Sequence, residues 1–391
     1  MHGDEAVHAI KFGALLEEND YRYDPFEYHG PTLNYLTLIP AWLTSAGKLT
    51  QINEKHLRIV PVFFGVLLIG LSAVLAPILG WPAVAISALL TALSPAMVFY
   101  SRYYIQEMLL VCFAFGFLAF GLRSMQNAKF KWALLSGTFL GLMAATKETF
   151  VIFLAAMLLS LLASSLVGHL LAKNQTGFSQ TQKISVPKNF IKHSFVALAI
   201  ALVVAALFYS SFFTNPHGLI DAFVSYKTYL TRATENSYHL HPWHFYWQWL
   251  FYFGLPGGTF HTEALILILA IAGLFLSFFS INKNRFWLQY FALYAMFLTL
   301  FFTLIPYKTP WNAIGFLHAM ILLAGVGAVQ ILNRLKNVIV RRAFVFGFIV
   351  AVGHLGWQSY RINFVDEANA ANNPYVYAHP TKYVFAMTHS I

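Results

Sequence analysis

Two adjacent carboxylates, Asp4 and Glu5, stand at the start of DEAVHAIKFGALLEEN, a segment whose Ala6, Ile10 and Ala14 share one face of an amphipathic helix. Acids favour the positive end of a helix dipole, so N-terminal capping accounts for one of them. The other use for such a group is to take or polarise the proton of a hydroxyl. Glu107, in SRYYIQEM, falls where an apolar stretch meets a membrane surface. An acid at that depth is costly and is functional by default. Arg102 precedes it by five residues, about one and a half helical turns. Its guanidinium serves either as a salt-bridge partner or as a planar fork for a phosphate.

Lys147 and Glu148 form a second charged pair, and Lys308 sits in IPYKTPWN between two prolines that stiffen the turn. Snorkelling to an interface explains any single lysine. Three cations at helix ends, Arg102, Lys147 and Lys308, suit a pocket for an anionic group at the membrane surface. The stretch HLHPWHFYWQWLFYFGLPGG packs aromatic rings around His239, His241 and His244. Imidazole is a zinc ligand, but no cysteine or nearby carboxylate completes a set, and interfacial aromatics account for the pattern.

These residues need elements that hold them at a bilayer. The chain has 391 residues, 58% hydrophobic and 10% charged, with 38 Phe, 20 Tyr and 9 Trp. Globular proteins carry about 25% charged residues, so a soluble enzyme, a disordered scaffold and a nucleic-acid-binding protein are all excluded, despite the net charge of +10. The lone Cys112 excludes a disulfide framework. A spanning helix needs about 20 mostly apolar residues. Such stretches lie near 58–79, 82–100, 105–124, 132–147, 150–171, 194–213, 263–281, 286–305, 312–332 and 342–358. The expectation is an all-α polytopic membrane protein with about ten spans, the fourth and fifth forming a tight hairpin around Lys147. Segment 31–47, apolar but short and broken by proline, is expected to lie in the interface. The chain then divides into a first outer loop (1–57), a transmembrane region (58–358) with an outer loop at 214–262, and a C-terminal tail (359–391).

Charge fixes the orientation. The loops near 123–131, 173–193, 283–285 and 334–342 carry Arg123, Lys129, Lys131, Lys173, Lys183, Lys188, Lys192, Lys283, Arg285, Arg334, Lys336, Arg341 and Arg342, and no acid. All 15 acids fall on the opposite side or at its helix ends. By the positive-inside rule the basic side is cytoplasmic, which places the acids outside a cytoplasmic membrane. Since Met1 then starts on the outer side, a transmembrane helix is expected ahead of it.

The order of these motifs resembles the GT-C membrane glycosyltransferases. The features are the acidic pair, the YHGP turn (Tyr28 to Pro31), SRYYIQE, GLMAATK (Gly141 to Lys147), HPW at 241–243 and YKTPW at 307–311. The resemblance is to the protein O-mannosyltransferase-like branch and its flippase-associated, Agl23-like members. It implies a GT-C-like fold with interfacial helices in the first outer loop. It also implies inverting transfer of a sugar from a polyprenyl-phosphate-linked donor to a glycan, lipid or protein acceptor, with membrane lipid as surroundings. On that resemblance Asp4 is the general base, with Glu5 beside it, and Glu107 is the second acid. Arg102, Lys147 and Lys308 face the donor phosphate. His29, Tyr103, Glu148, His241, Trp243, Tyr307 and Trp311 line the substrate pocket. The resemblance names no cofactor for certain and leaves a divalent metal open. The rival class is a transport- or flippase-associated protein that handles lipid-linked sugars without catalysis. A transporter places ionisable groups near midspan, where only His318 and His354 fall.

Overall fold

The computed structural model describes residues 2–26, 29–173, 187–234, 239–254, 260–280, 284–367 and 372–377. Tyr28 of the YHGP turn, Lys183, Lys283 and the centre of the 173–193 loop lie outside them. The described residues form sixteen α-helices, with two isolated β-bridges, Leu240 to Tyr307 and Phe253 to His261. Each of the ten apolar stretches is helical: α3–α4 (Glu54–Leu71 and Ala76–Leu79), α5–α6 (Trp81–Leu93 and Pro95–Ser101), α7 (Glu107–Asn127), α8 (Phe130–Ala144), α9 (Phe150–Lys173), α10 (Phe190–Tyr209), α13 (Ala264–Phe278), α14 (Arg285–Leu304), α15 (Ala313–Arg334) and α16 (Val338–Tyr360). Among the described residues seven helices are long and apolar enough to cross a membrane, or eight with the bent pair α5–α6; α8 and α13 are shorter. This is an integral membrane protein.

The helices α7 and α15 are the buried centre, wrapped by α3, α5, α8, α13 and α14, while α10 and α16 expose most of their surface. Lipid offers no hydrophobic drive between helices, so close packing through small residues does that work. Helices α13 and α15 meet at Gly273 and Gly327. A Cβ on Gly273 would lie 2.2 Å from the carbonyl oxygen of Leu323, and one on Gly327 2.1 Å from that of Leu269.

The second span bends by 63° at Ser94, where Pro95 cannot donate to the preceding turn. One expectation is corrected. The fourth and fifth spans do not form a tight hairpin. Helix α8 packs on α7 and α10, whereas α9 leaves to pack on α14. The turn between α8 and α9 is held open because the first loop, which precedes α3, docks into it. That loop carries α1 (Gly3–Glu18) and α2 (Thr32–Leu43), and α2 exposes Ile39, Trp42 and Leu43 as an interfacial helix does. Between the spans on the same side lie α11 (Gly218–Thr234) and α12 (Phe245–Phe251).

Candidate active site

The site is built around the start of α1. The His2 ring accepts a hydrogen bond from the Asp4 amide (3.0 Å) while the Glu5 carboxylate accepts one from the His2 amide (2.9 Å), a reciprocal capping box. Glu5 is fully buried and does much more than cap. It accepts a two-pronged bond from Arg58 (2.9 Å from Nε and 2.9 Å from Nη2) and one from the Tyr104 amide (3.0 Å). Burial alone would raise its pKa, but the Arg58 guanidinium and the Tyr104 and His2 amides together outweigh it and hold the carboxyl below its ordinary value. Arg58 also reaches Glu54 (3.0 Å) and Glu367 (3.7 Å).

Asp4, one residue earlier, faces a different direction around the helix. Its side chain is 49% exposed, and the neutral His2 ring lies 3.9 Å from its carboxylate. Around it stand aromatic rings from three distant parts of the chain. The His2 ring lies 5.4 Å from Tyr103 and 5.9 Å from Trp311, and Trp311 lies 6.0 Å from Tyr103 and 5.7 Å from Tyr377. Burial first, then the fields of Glu5, Asp4 and Glu107, push the Tyr103 phenol far above its ordinary pKa. It therefore stays neutral and able to donate.

Below Tyr103, Glu107 opens α7 and pairs with Lys147, both buried. His8, on α1, lies beside this pair with Gln106 at 3.4 Å. Burial, with the positive fields of His29 and Lys147, pushes His8 down to about 3, so it is neutral. Glu148, next in the turn, is buried and accepts from the Tyr23 hydroxyl (2.7 Å) while bonding His29 Nδ1 (2.9 Å). Thr32 and Thr146 are joined through their hydroxyls (2.8 Å). This docking needs Gly30, where a Cβ would lie 2.2 Å from the Ala145 carbonyl oxygen. The HGP and ATKE motifs are thus two sides of one contact.

Lys308 is buried, with no carboxylate partner among the described residues. Its ammonium donates to the carbonyls of Ile305 and His241 (3.2 Å to the latter), and its amide donates to the His239 carbonyl (2.8 Å). Desolvation lowers its pKa. His241 stacks on Phe245 (4.1 Å), and Tyr307 lies against His239 (5.0 Å). Since Trp311 closes the same turn, Lys308 belongs to the wall that carries the aromatic cluster. Trp243 is exposed and T-shaped to His244, away from that cluster. Arg102 also turns elsewhere: it donates to the Asn363 carbonyl, faces Glu367 (3.4 Å) and covers the Phe364 ring (4.8 Å). It meets Glu5 only indirectly, through Glu367 and Arg58.

Three participants carry no signal of their own in the sequence. Arg58 stands at the head of an apolar stretch and is indistinguishable there from a snorkelling residue. Tyr377 bonds His239 Nδ1 through its hydroxyl (2.7 Å) and faces Trp311, yet belongs to an irregular tail. His2 reads simply as a chain-terminal residue. No group of three or more His, Cys, Asp or Glu among the described residues is placed to hold a metal.

Residues 36–178 match the family of dolichyl-phosphate-mannose-protein mannosyltransferases. No protein of curated function matches the sequence. The fold is similar to that of ArnT from Cupriavidus metallidurans bound to undecaprenyl phosphate, with a TM-score of 0.63 and 18% identity over 96% of this chain and 63% of that one. It is also similar to the oligosaccharyltransferase AglB from Archaeoglobus fulgidus in complex with an inhibitory peptide and a dolichol-phosphate. There the TM-score is 0.58 and the identity 16%, over 98% of this chain and 53% of that one. The chain thus spans less than two thirds of either structure. With its helical first loop docked over a bent second span, it has the fold of the GT-C membrane glycosyltransferases.

Proposed function

We propose that the protein moves a sugar from a polyprenyl-phosphate-linked donor to an acceptor on the extracytoplasmic face. One observation carries this reading. Of the three acids gathered at Tyr103, Glu5 and Glu107 are locked to Arg58 and Lys147, and Asp4 alone keeps a half-exposed carboxylate beside an aromatic cluster. A base must reach its proton, and only Asp4 is placed to do so. The bound undecaprenyl phosphate of ArnT and dolichol-phosphate of AglB support the lipid carrier, and the mannosyltransferase family match supports the reaction class.

The acceptor hydroxyl attacks the anomeric carbon from the face opposite the lipid phosphate. As the new C–O bond forms, the bond from that carbon to the phosphate oxygen breaks, and its electron pair leaves with the phosphate. The hydroxyl proton passes to Asp4. Lys308 meets the charge that grows on the phosphate oxygen, since two of its three N–H donors are spent on carbonyls and one is left. Lys147, already neutralised by Glu107, shapes the floor instead. The segregation of acids from basic loops supports an outward-facing site, divided as first loop 1–57, membrane region 58–358 and tail 359–391. The test is transfer of label from a polyprenyl-phosphate sugar in membranes bearing the protein, against membranes bearing Asp4→Asn. Equal transfer by both would remove Asp4 from the reaction.

A further inference from the structure

Glu263 is the fully buried acid that this mechanism does not use. Its Oε1 accepts three hydrogen bonds: from the Ser94 hydroxyl (2.9 Å), the Ala96 amide (3.0 Å) and the Tyr375 hydroxyl (3.1 Å). Its Oε2 is buried without a partner, and no Lys or Arg among the described residues pairs with it. A buried carboxylate with no cation is costly, so something must keep this residue where it is. Its three donors are informative. Two belong to the bend between α5 and α6, the short helix that leads to Arg102 and Tyr103. The third belongs to the segment 372–377.

That segment is pinned at one residue and delivers another. Tyr375 is buried against Phe99 (5.8 Å), Tyr100 (5.9 Å) and Trp249 (5.4 Å), and its carbonyl accepts from the Tyr100 hydroxyl (3.1 Å). Two residues on, Tyr377 meets Trp311 and His239 beside Asp4. Residues 373–376 form a turn, closed by the Val376 amide on the Asn373 carbonyl (3.4 Å) and by the Tyr375 amide on the Asn373 side chain (2.9 Å). Anchoring the Tyr375 ring within that turn therefore sets where the chain leaves it, and with it where the Tyr377 ring goes.

We propose that Glu263 is a positioning residue of the active site: through Tyr375 it holds segment 372–377 so that Tyr377 closes the aromatic cluster on the acceptor side of Asp4. The activity part of this inference rests on the proposed glycosyl transfer; the positional part does not. Tyr375→Phe cuts the bond to Glu263 and keeps the packed ring. Glu263→Ala removes the acceptor, and Glu263→Gln keeps an oxygen for all three donors.

The experiment places a Val376→Cys reporter in the full chain in lipid nanodiscs, with the buried Cys112 silent, and follows its reaction with a water-soluble maleimide. Loss of one typical hydrogen bond corresponds to about a fivefold shift in the opening equilibrium. Labelling should therefore quicken by about that much in Tyr375→Phe and Glu263→Ala, and Glu263→Gln should restore the slow rate. In turnover, Tyr375→Phe should raise the acceptor KM more than it lowers kcat. Unchanged labelling in both Tyr375→Phe and Glu263→Ala would overturn the proposal, as would an unmoved acceptor KM in an active Tyr375→Phe protein. If the unaltered protein turned over no polyprenyl-phosphate sugar, the enzymatic reading would fall, and the labelling rates would still decide the role of Glu263.

Discussion

Glu107 and Lys147 meet as a buried ion pair across forty residues of sequence, joining the start of α7 to the turn after α8. Removing one partner of such a pair leaves an uncompensated charge and costs about 3–5 kcal/mol. Lys147→Met should therefore lower the thermal midpoint sharply. The double variant Lys147→Met, Glu107→Gln should recover much of the loss, because no bare charge remains. Thermal unfolding of the unaltered protein, both single variants and the double variant in one detergent checks this, and additive losses would contradict it.

Glu5 makes stability depend on pH. Its folded pKa lies below its ordinary value, so the Glu5–Arg58 pair stabilises the fold above about pH 4.5 and loses that contribution as acid protonates Glu5. The acid limb of a stability profile should flatten in Glu5→Gln. Arg58→Lys should destabilise the protein at neutral pH as well, since an ammonium cannot reproduce the two-pronged contact.

Lys308→Gln should weaken retention of a polyprenyl phosphate by about tenfold, the scale of one charge-assisted hydrogen bond. Because the ammonium would touch phosphate before and during reaction, KM for the donor should rise along with any fall in kcat. Equal binding by both proteins would separate Lys308 from the phosphate.

Much of the fold was legible because spans are local. A run of about twenty apolar residues is set by the bilayer and needs no knowledge of its neighbours, and all ten stretches are helices. Pro95 marks the break at Ser94, but the extent of the bend and the departure of α9 from α8 were not legible, since both depend on what packs where: Glu263 at the bend and the docked HGP segment at the turn. The same divide runs through the site. Asp4, Glu107, Tyr103 and Trp311 stand in short motifs at helix ends and could be singled out there. Arg58 and Tyr377 acquire meaning only from partners in other parts of the chain, Glu5 in α1 and Trp311 in the turn before α15. Arg102 shows the converse, a residue of the right type at the right depth whose contacts are Asn363, Glu367 and Phe364.

Orientation can be tested with single cysteines on described, exposed residues. A membrane-impermeant maleimide applied to intact cells should label His217→Cys, whose side chain is 71% exposed, and leave Asn189→Cys untouched. The reverse pattern would invert the assignment of outer and inner faces.

The central claim is that Asp4 is the base. Asp4→Asn keeps the size and shape of the side chain and leaves the Glu5–Arg58 pair and the aromatic cluster in place, so the fold and donor binding should persist. The decisive measurement is kcat for sugar transfer by purified Asp4→Asn against the unaltered protein, with donor binding measured on the same samples. Loss of a general base lowers the rate by about 10²–10⁴-fold, and the account predicts a fall in that range with donor affinity unchanged. Near-normal kcat in Asp4→Asn would contradict it and leave Asp4 as a helix cap.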